Sequence, residues 1–220
     1  PTYESMAEDI GNVELVSTMY YANSEAISEI RTDLVRSTVG SENISPLIKE
    51  ALIATEDENF YEHNGIVPKA ILRALVTELT GFGSQSGGST LTQQLVKQQI
   101  LTNEVTFSRK ANEILLALRL ENLLTKDEIL TAYLNVSPFG RNSSGSNIAG
   151  IEEAANGIFG VHAIDVSLAQ AAFLVGIPQN PYTYTPFTQY GERKEDLTAA
   201  LNRKNTVLFR MLSEGYITKE

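Results

Sequence analysis

Cysteine is absent from the 220 residues, which removes a disulfide framework, a cysteine metal site and a thiol nucleophile from consideration. No run of about 18 apolar residues occurs, and the N-terminus has no basic stretch ahead of an apolar one, so neither a membrane span nor a signal peptide is encoded. Histidine is nearly missing too, with two residues that do not fall at ligand spacing. Basic charge is outnumbered: 17 Lys and Arg stand against 27 Asp and Glu, a net charge of −10. The imbalance is local, since residues 1–58 hold 12 acids and 3 bases while the remainder is almost neutral. A nucleic-acid partner is not expected, because no basic stripe is present to neutralise backbone phosphates. What the chain does have is 42% hydrophobic residues, enough at this length for one sizeable core or for a main lobe with an appendage.

Residues 1–44 mix acids with short β-prone pieces, Thr18–Tyr21 and Leu34–Val39, and read as an extended or hairpin-forming lead-in. Helical signals begin at Ser45, a suitable N-cap, followed by Pro46 at the first helical position. That helix is expected to bury Leu47, Ile48, Leu52 and Ile53 and to carry Glu56 near its end. Thr125 with Glu128, and Ser167 with Gln170, each fit a capping box. Ala111, Ile114, Leu115 and Leu118 recur at helical spacing, as do Leu197, Leu201, Leu208, Met211 and Leu212. The fold class predicted is mainly α, with a domain over 45–220. Glycine and small polar residues interrupt the pattern at 80–89, 138–147 and 178–187, which read as loops. The final "GYITKE" reads as a turn and the start of another helix, so a longer polypeptide is expected.

Three blocks between Glu56 and Glu113 carry the chemistry: "EDENFYEHNG", "GGSTLTQQLVK" and "RKANE". An isolated Glu56–Asp57 pair is ordinarily solvated surface; held in an apolar cleft beside Phe60, one of the carboxylates would have its pKa raised and could act as a general base. His63 reads as a hydrogen-bonded structural residue more readily than as an acid or a ligand. Thr90, Gln94 and Lys97 fall on one helical face, either a polar exposed face or a surface for a sugar beside a phosphate. Arg109, Lys110 and Glu113 form either a surface ion-pair cluster or a device for holding a cation near a departing phosphate. The block at 87–97 lacks the glycine-lysine-serine or threonine ending of a Walker loop.

In this order the blocks closely resemble the signature motifs of the peptidoglycan glycosyltransferases, glycosyltransferase family 51, found in class A penicillin-binding proteins and their monofunctional relatives. "KDEILTAYLN" at 126–135 and "AAFLVGIPQNP" at 171–181 resemble two further motifs of that family, chiefly structural ones. The resemblance implies a lysozyme-like bilobed fold with a smaller membrane-facing lobe around 66–90, for which Ile71–Phe82 is the candidate surface. It implies Glu56 as catalytic base and Glu113 as the second essential carboxylate, with Glu113 also a candidate ligand for a divalent cation, Mg²⁺ or Mn²⁺. Phe60, His63 and Gly65 match family positions that shape the turn and orient the acids, and Asp57, Phe60 and His63 are candidates for facing substrate. Ser89, Thr90, Gln94 and Lys97 match positions lining the cleft, Arg109 and Lys110 match the phosphate site, and Asn135 is a further candidate. The segment 139–150 is longer than its family counterpart, so Arg141 carries no role over.

By the same resemblance the partners are lipid II, the growing lipid-linked glycan and a membrane surface, with moenomycin as inhibitor. The location implied is the extracytoplasmic face of the bacterial cytoplasmic membrane, with a transmembrane anchor outside this sequence and a transpeptidase domain downstream. A lysozyme-like glycan-cleaving enzyme and an inert glycan-binding module are the rivals. A hydrolase needs an acid for its sugar leaving group, which leaves Lys97, Arg109 and Lys110 unexplained.

Overall fold

The computed structural model describes residues 18–20, 26–29, 34–73, 88–99 and 107–219. In chain order these form strands β1 (Thr18–Tyr20), β2 (Ala26–Glu29) and β3 (Leu34–Arg36), helices α1 (Pro46–Glu56), α2 (Leu91–Gln99), α3 (Phe107–Glu121) and α4 (Lys126–Val136), strands β4 (Pro138–Arg141) and β5 (Asn147–Ala149), and helices α5 (Ile151–Phe159), α6 (Leu168–Gly176), α7 (Pro181–Tyr184) and α8 (Thr198–Ser213). The mainly α class expected from the sequence is what is observed. The chain divides into two compact units, one containing Leu52–Tyr133 and the other Val13–Ala51 with Leu134–Glu220, so the division falls within α1 and α4.

In the first unit, the buried residues Leu52, Ile53, Phe60, Leu91, Leu95, Val96, Leu120, Ile129 and Leu130 make the core, and α2 packs along α3. Thr125 caps α4 as its sequence predicts: its N–H donates to Glu128 Oε2 at 2.7 Å and its Oγ1 accepts from the Glu128 N–H at 3.3 Å. The buried face of α3 differs from the one its apolar spacing predicts. Glu113, Ala117 and Leu120 point inward, whereas Ala111 faces solvent and Leu115 is 64% exposed. The reason is polar and steric: Glu113 is hydrogen-bonded to α2, and Gly65, at φ +87°, lies so close to Ala117 that a Cβ there would come within 2.7 Å of its carbonyl oxygen. Only glycine meets both demands. Of the expected membrane-facing run Ile71–Phe82, residues 71–73 are described and helical; its remainder and the glycine loop through residue 87 lie outside the described residues.

In the second unit, β1 and β2 pair antiparallel, as the hairpin reading of the lead-in anticipated. The lead-in does not end as a free linker, however. β3 pairs in parallel with β5, with Val35 opposite Ile148, and β4 completes a three-stranded sheet in the order β3-β5-β4. The expected loop at 138–147 is therefore a β-hairpin. Asn142 closes its turn by accepting the N–H groups of Ser144 and Ser146 at 3.0 Å each, and Gly145 supplies the positive φ of +81°. The expected loop at 178–187 contains a 3-10 turn, Ile177–Gln179, and the one-turn helix α7, capped by Asn180. Ser45 caps α1, accepting the Leu47 N–H at 3.3 Å, and Ser167 and Gln170 form the predicted capping box of α6. α6 packs against α8, where Gly176 leaves room for Arg203, whose Nε donates to the Gly176 carbonyl at 3.4 Å. The face of α8 turned inward carries Ala200, Val207 and Met211 while Leu201 is exposed, so the apolar spacing again misplaces one residue. Residues 214–219 continue as turn and extended chain, not as the new helix expected.

Candidate active site

Glu56 closes α1, half-buried. Asp57, one residue on, is buried and its Oδ2 accepts the N–H of Leu91 at 2.9 Å. Leu91 is the first residue of α2, so the carboxylate caps a helix N-terminus, where an anion is favoured by the unpaired N–H groups and the helix dipole. Both oxygens of Asp57 also contact His63 Nε2, at 3.0 and 2.9 Å. His63 Nδ1 in turn accepts the Gly65 N–H at 3.0 Å. A nitrogen that accepts cannot carry the proton, so His63 is the Nε2–H tautomer donating to Asp57.

Thr90 is the N-cap of α2. Its Oγ1 donates to the Gly65 carbonyl at 2.6 Å and accepts the Gln93 N–H at 3.1 Å, while the Thr90 N–H donates to Gln93 Oε1 at 3.1 Å. Threonine and glutamine three apart thus form a third reciprocal capping box. The other end of the Gln93 amide, Nε2, donates to Glu113 Oε1 at 3.1 Å. Glu113 is 2% exposed and receives at the same oxygen the ammonium of Lys110, which also donates to Ser89 Oγ at 3.1 Å. The Lys110 side chain is 40% exposed. One end of this ion pair is therefore fixed in protein and the other faces solvent.

A second clamp backs the first. Lys126 donates to the His63 carbonyl at 2.7 Å and to Glu121 Oε1 at 2.8 Å, and its ammonium lies 4.5 Å from the centre of the Phe60 ring. Glu121 Oε1 also accepts from Thr92 Oγ1 at 2.6 Å. Both clamps run from the 57–65 turn to α2 and α3.

The residues expected at substrate are thus sorted by burial. Ser89, Gln94, Lys97, Arg109 and Lys110 retain exposed surface. Gln94 Nε2 donates to the Ser89 carbonyl at 3.5 Å and its Oε1 accepts from Tyr133 Oη at 3.1 Å. Phe60 is fully enclosed, and Thr90 and His63 are buried with their polar atoms engaged; these three support the site and do not line it. Thr90 therefore does not share an open face with Gln94 and Lys97. Asn135 is corrected likewise: in the second unit its amide pairs with Val39, donating to the carbonyl at 2.9 Å and accepting the N–H at 3.1 Å. That pairing fixes the chain just after β3. Gln93, Lys126, Glu121 and Thr92 were not singled out by motif reading. The T-x-x-Q spacing of Thr90 and Gln93 is the signal that exposes the first of them.

Glu113 Oε1 takes both the Lys110 ammonium and the Gln93 amide, and among the described residues no group of three His, Cys, Asp or Glu side chains gathers to hold a metal ion.

Glu56 ends one helix, and the buried Glu113 lies within another with the Lys110 ammonium held beside it, an arrangement in which a fixed cation can stabilise a charged leaving group. The family model described as Transglycosylase matches residues 23–212. Penicillin-binding protein 1A of Clostridium perfringens (strain 13 / Type A) is 39% identical over 208 residues, 93% of this chain and 30% of that protein. Penicillin-binding protein 1A of Aquifex aeolicus (strain VF5) is 43% identical over 185 residues, 84% of this chain and 24% of that protein. A crystal structure of penicillin-binding protein 1A from Haemophilus influenzae aligns with a TM-score of 0.47 at 22% identity, over 94% of this chain and 20% of that one. The chain spans less than a third of the length of these relatives. It belongs to the transglycosylase family and is a peptidoglycan glycosyltransferase domain of the class A penicillin-binding protein type.

Proposed function

We propose that the domain joins lipid II units into β-1,4-linked glycan, with inversion at the donor MurNAc anomeric carbon and release of undecaprenyl pyrophosphate. Glu56 takes the proton from the acceptor GlcNAc 4-hydroxyl as its oxygen attacks the anomeric carbon. The bond from that carbon to the pyrophosphate oxygen breaks, and its electron pair leaves with the pyrophosphate. Lys110, with Lys97 and Arg109, meets the charge gathering there.

The observation that carries this reading is the Lys110–Glu113 pair, an ammonium half in solvent and anchored at its other end to a buried carboxylate. A cation so held cannot turn away when a diphosphate arrives, and little reorganisation is needed at the moment of reaction. A glycan hydrolase has no use for it, since its leaving group is an alcohol that needs a proton. No helix among the described residues is long and apolar enough to cross a membrane. We place the domain at the extracytoplasmic face of the bacterial cytoplasmic membrane, held by an anchor elsewhere in the polypeptide, with a transpeptidase domain as neighbour. Moenomycin is the inhibitor expected to bind the donor phosphate site. Product analysis after incubation with lipid II tests the reading: polymer supports it, whereas shortened preformed glycan or unchanged substrate contradicts it.

A further inference from the structure

The Gln93 side chain has two ends that do different work, and it is 1% exposed, so it cannot meet substrate. Its oxygen closes the capping box with the Thr90 N–H at 3.1 Å. Its nitrogen donates to Glu113 Oε1 at 3.1 Å, the same oxygen that receives Lys110. The start of α2 is itself tied to the 57–65 turn, through the Leu91 N–H on Asp57 and through Thr90 Oγ1 on the Gly65 carbonyl. A continuous run of hydrogen bonds therefore connects the residue after Glu56 with the carboxylate of Glu113, and the Gln93 amide is the link that reaches Glu113.

We propose that Gln93 is a positioning residue for glycan transfer: its amide fixes the Glu113 carboxylate, and through it the Lys110 ammonium, relative to the α2 N-terminus. This rests on the glycosyltransferase reading given above. A buried carboxylate with two donors on one oxygen has one orientation; with the amide donor removed, the half-exposed lysine alone sets its direction. Lys110 then loses its fixed address while remaining charged. Substrate binding, which draws on exposed groups, is left in place, and the cost falls on the step in which the diphosphate departs.

Gln93→Glu separates the two ends of the side chain. A glutamate at this position still accepts the Thr90 N–H, as capping boxes allow, but it has no donor for Glu113 and sets a second carboxylate against it. Gln93→Met keeps the length and removes both bonds. Each variant is made in the full-length protein, checked by thermal melting, and assayed for kcat and KM with lipid II, alongside the parent. The expected result for Gln93→Glu is a lower melting temperature, because a second buried carboxylate is set against Glu113, with KM within a few-fold and kcat lowered about ten-fold or more, at least the range for losing one hydrogen bond to a charged group. Gln93→Met is expected to lose the same kcat and to melt lower as well. Parental kcat in either folded variant, or a change confined to KM, overturns the proposal. Absence of lipid II polymerisation by the parent protein would instead sink the glycosyltransferase reading, so the two failures are told apart.

Discussion

Asp57 shows at the scale of one residue how a motif position and its role come apart. Adjacent to Glu56 in the sequence, it looks like a partner in acid–base chemistry; in the structure both its oxygens are committed, to His63 and to the α2 N-terminus. Asp57→Asn is expected to lower stability by about 1–2 kcal/mol through a weakened helix cap and a lost charged contact, read as a fall in melting temperature. An unchanged melt would contradict the capping role. Lys110 sets the opposite case. Its ammonium is half-exposed, which weakens the ion pair, but the Glu113 carboxylate left behind is buried, so Lys110→Ala is expected to melt modestly lower than the parent while remaining folded. Turnover is expected to fall by roughly 10–100-fold, from loss of a contact worth about 1.5–3 kcal/mol to a charged leaving group, and moenomycin affinity to fall with it. Parental turnover and affinity in folded Lys110→Ala would remove lysine from the phosphate site. Motif matching singled out Glu56, Glu113 and Lys110 because their residue types suit the proposed chemistry, and the structure shows Glu113 and Lys110 in contact. The burial of Phe60, Thr90 and Asn135 was not legible, because a motif records position and carries no information about which way a side chain faces.

At the scale of the element, local chemistry explains why helix ends were legible. Capping boxes at Thr125 and Ser167 are written in four consecutive residues and form as read. The inward faces of α3 and α8 were less so, because a buried glutamate hydrogen-bonded to another helix and a glycine contact override apolar spacing. Strand β3 lies within Leu34–Val39, read as β-prone, but its pairing with β5, more than a hundred positions away, was not legible, and β4 and β5, of four and three residues, are too short to give a periodicity to read. Helix α5 offers a pH test. Burial raises the pKa of Glu152, but hydrogen bonds from the Ala163 N–H, His162 and Asn156, with the charge of His162, outweigh it and leave the carboxyl below its usual value of 4.5. His162 is raised above 6.5, first by its hydrogen bond to Glu152 and then by the Glu152 charge, with Asp165 adding to it. The histidine contribution is complete below its unfolded pKa and fades as pH rises through the folded one; the glutamate contribution is complete above 4.5 and fades as pH falls through its folded value. The pair therefore contributes fully between about pH 4.5 and 6.5. Glu152→Gln is expected to flatten the dependence of melting temperature on pH beyond both edges of that window, and an identical pH profile in parent and variant would contradict the assignment.

At the scale of the whole molecule, the net charge of −10 opposes attachment to an anionic lipid surface. Any lipid contact that the proposed membrane location gives the domain, beyond its anchor, then draws on apolar side chains, and in the first unit Tyr61, Leu72 and Leu115 are each more than 60% exposed. Co-sedimentation with anionic lipid vesicles is expected to survive added salt and to drop several-fold in Leu72→Ser and Leu115→Ser, each surface change leaving the melt within about 0.5 kcal/mol of the parent. Binding that vanishes with salt would contradict it. Leu115 was read from the sequence as core; its exposure and the burial of Glu113 are two sides of one rotation of α3, which no local pattern announces.

The central claim is that Glu56 is the base of glycan transfer in a site prepared for pyrophosphate departure. The most direct measurement is the rate of lipid II polymerisation by Glu56→Gln, on protein shown by thermal melting to be folded. The amide keeps the shape of the side chain and cannot take the acceptor proton, so the account predicts a loss of about 10²–10⁴-fold. A rate within a few-fold of the parent would contradict it.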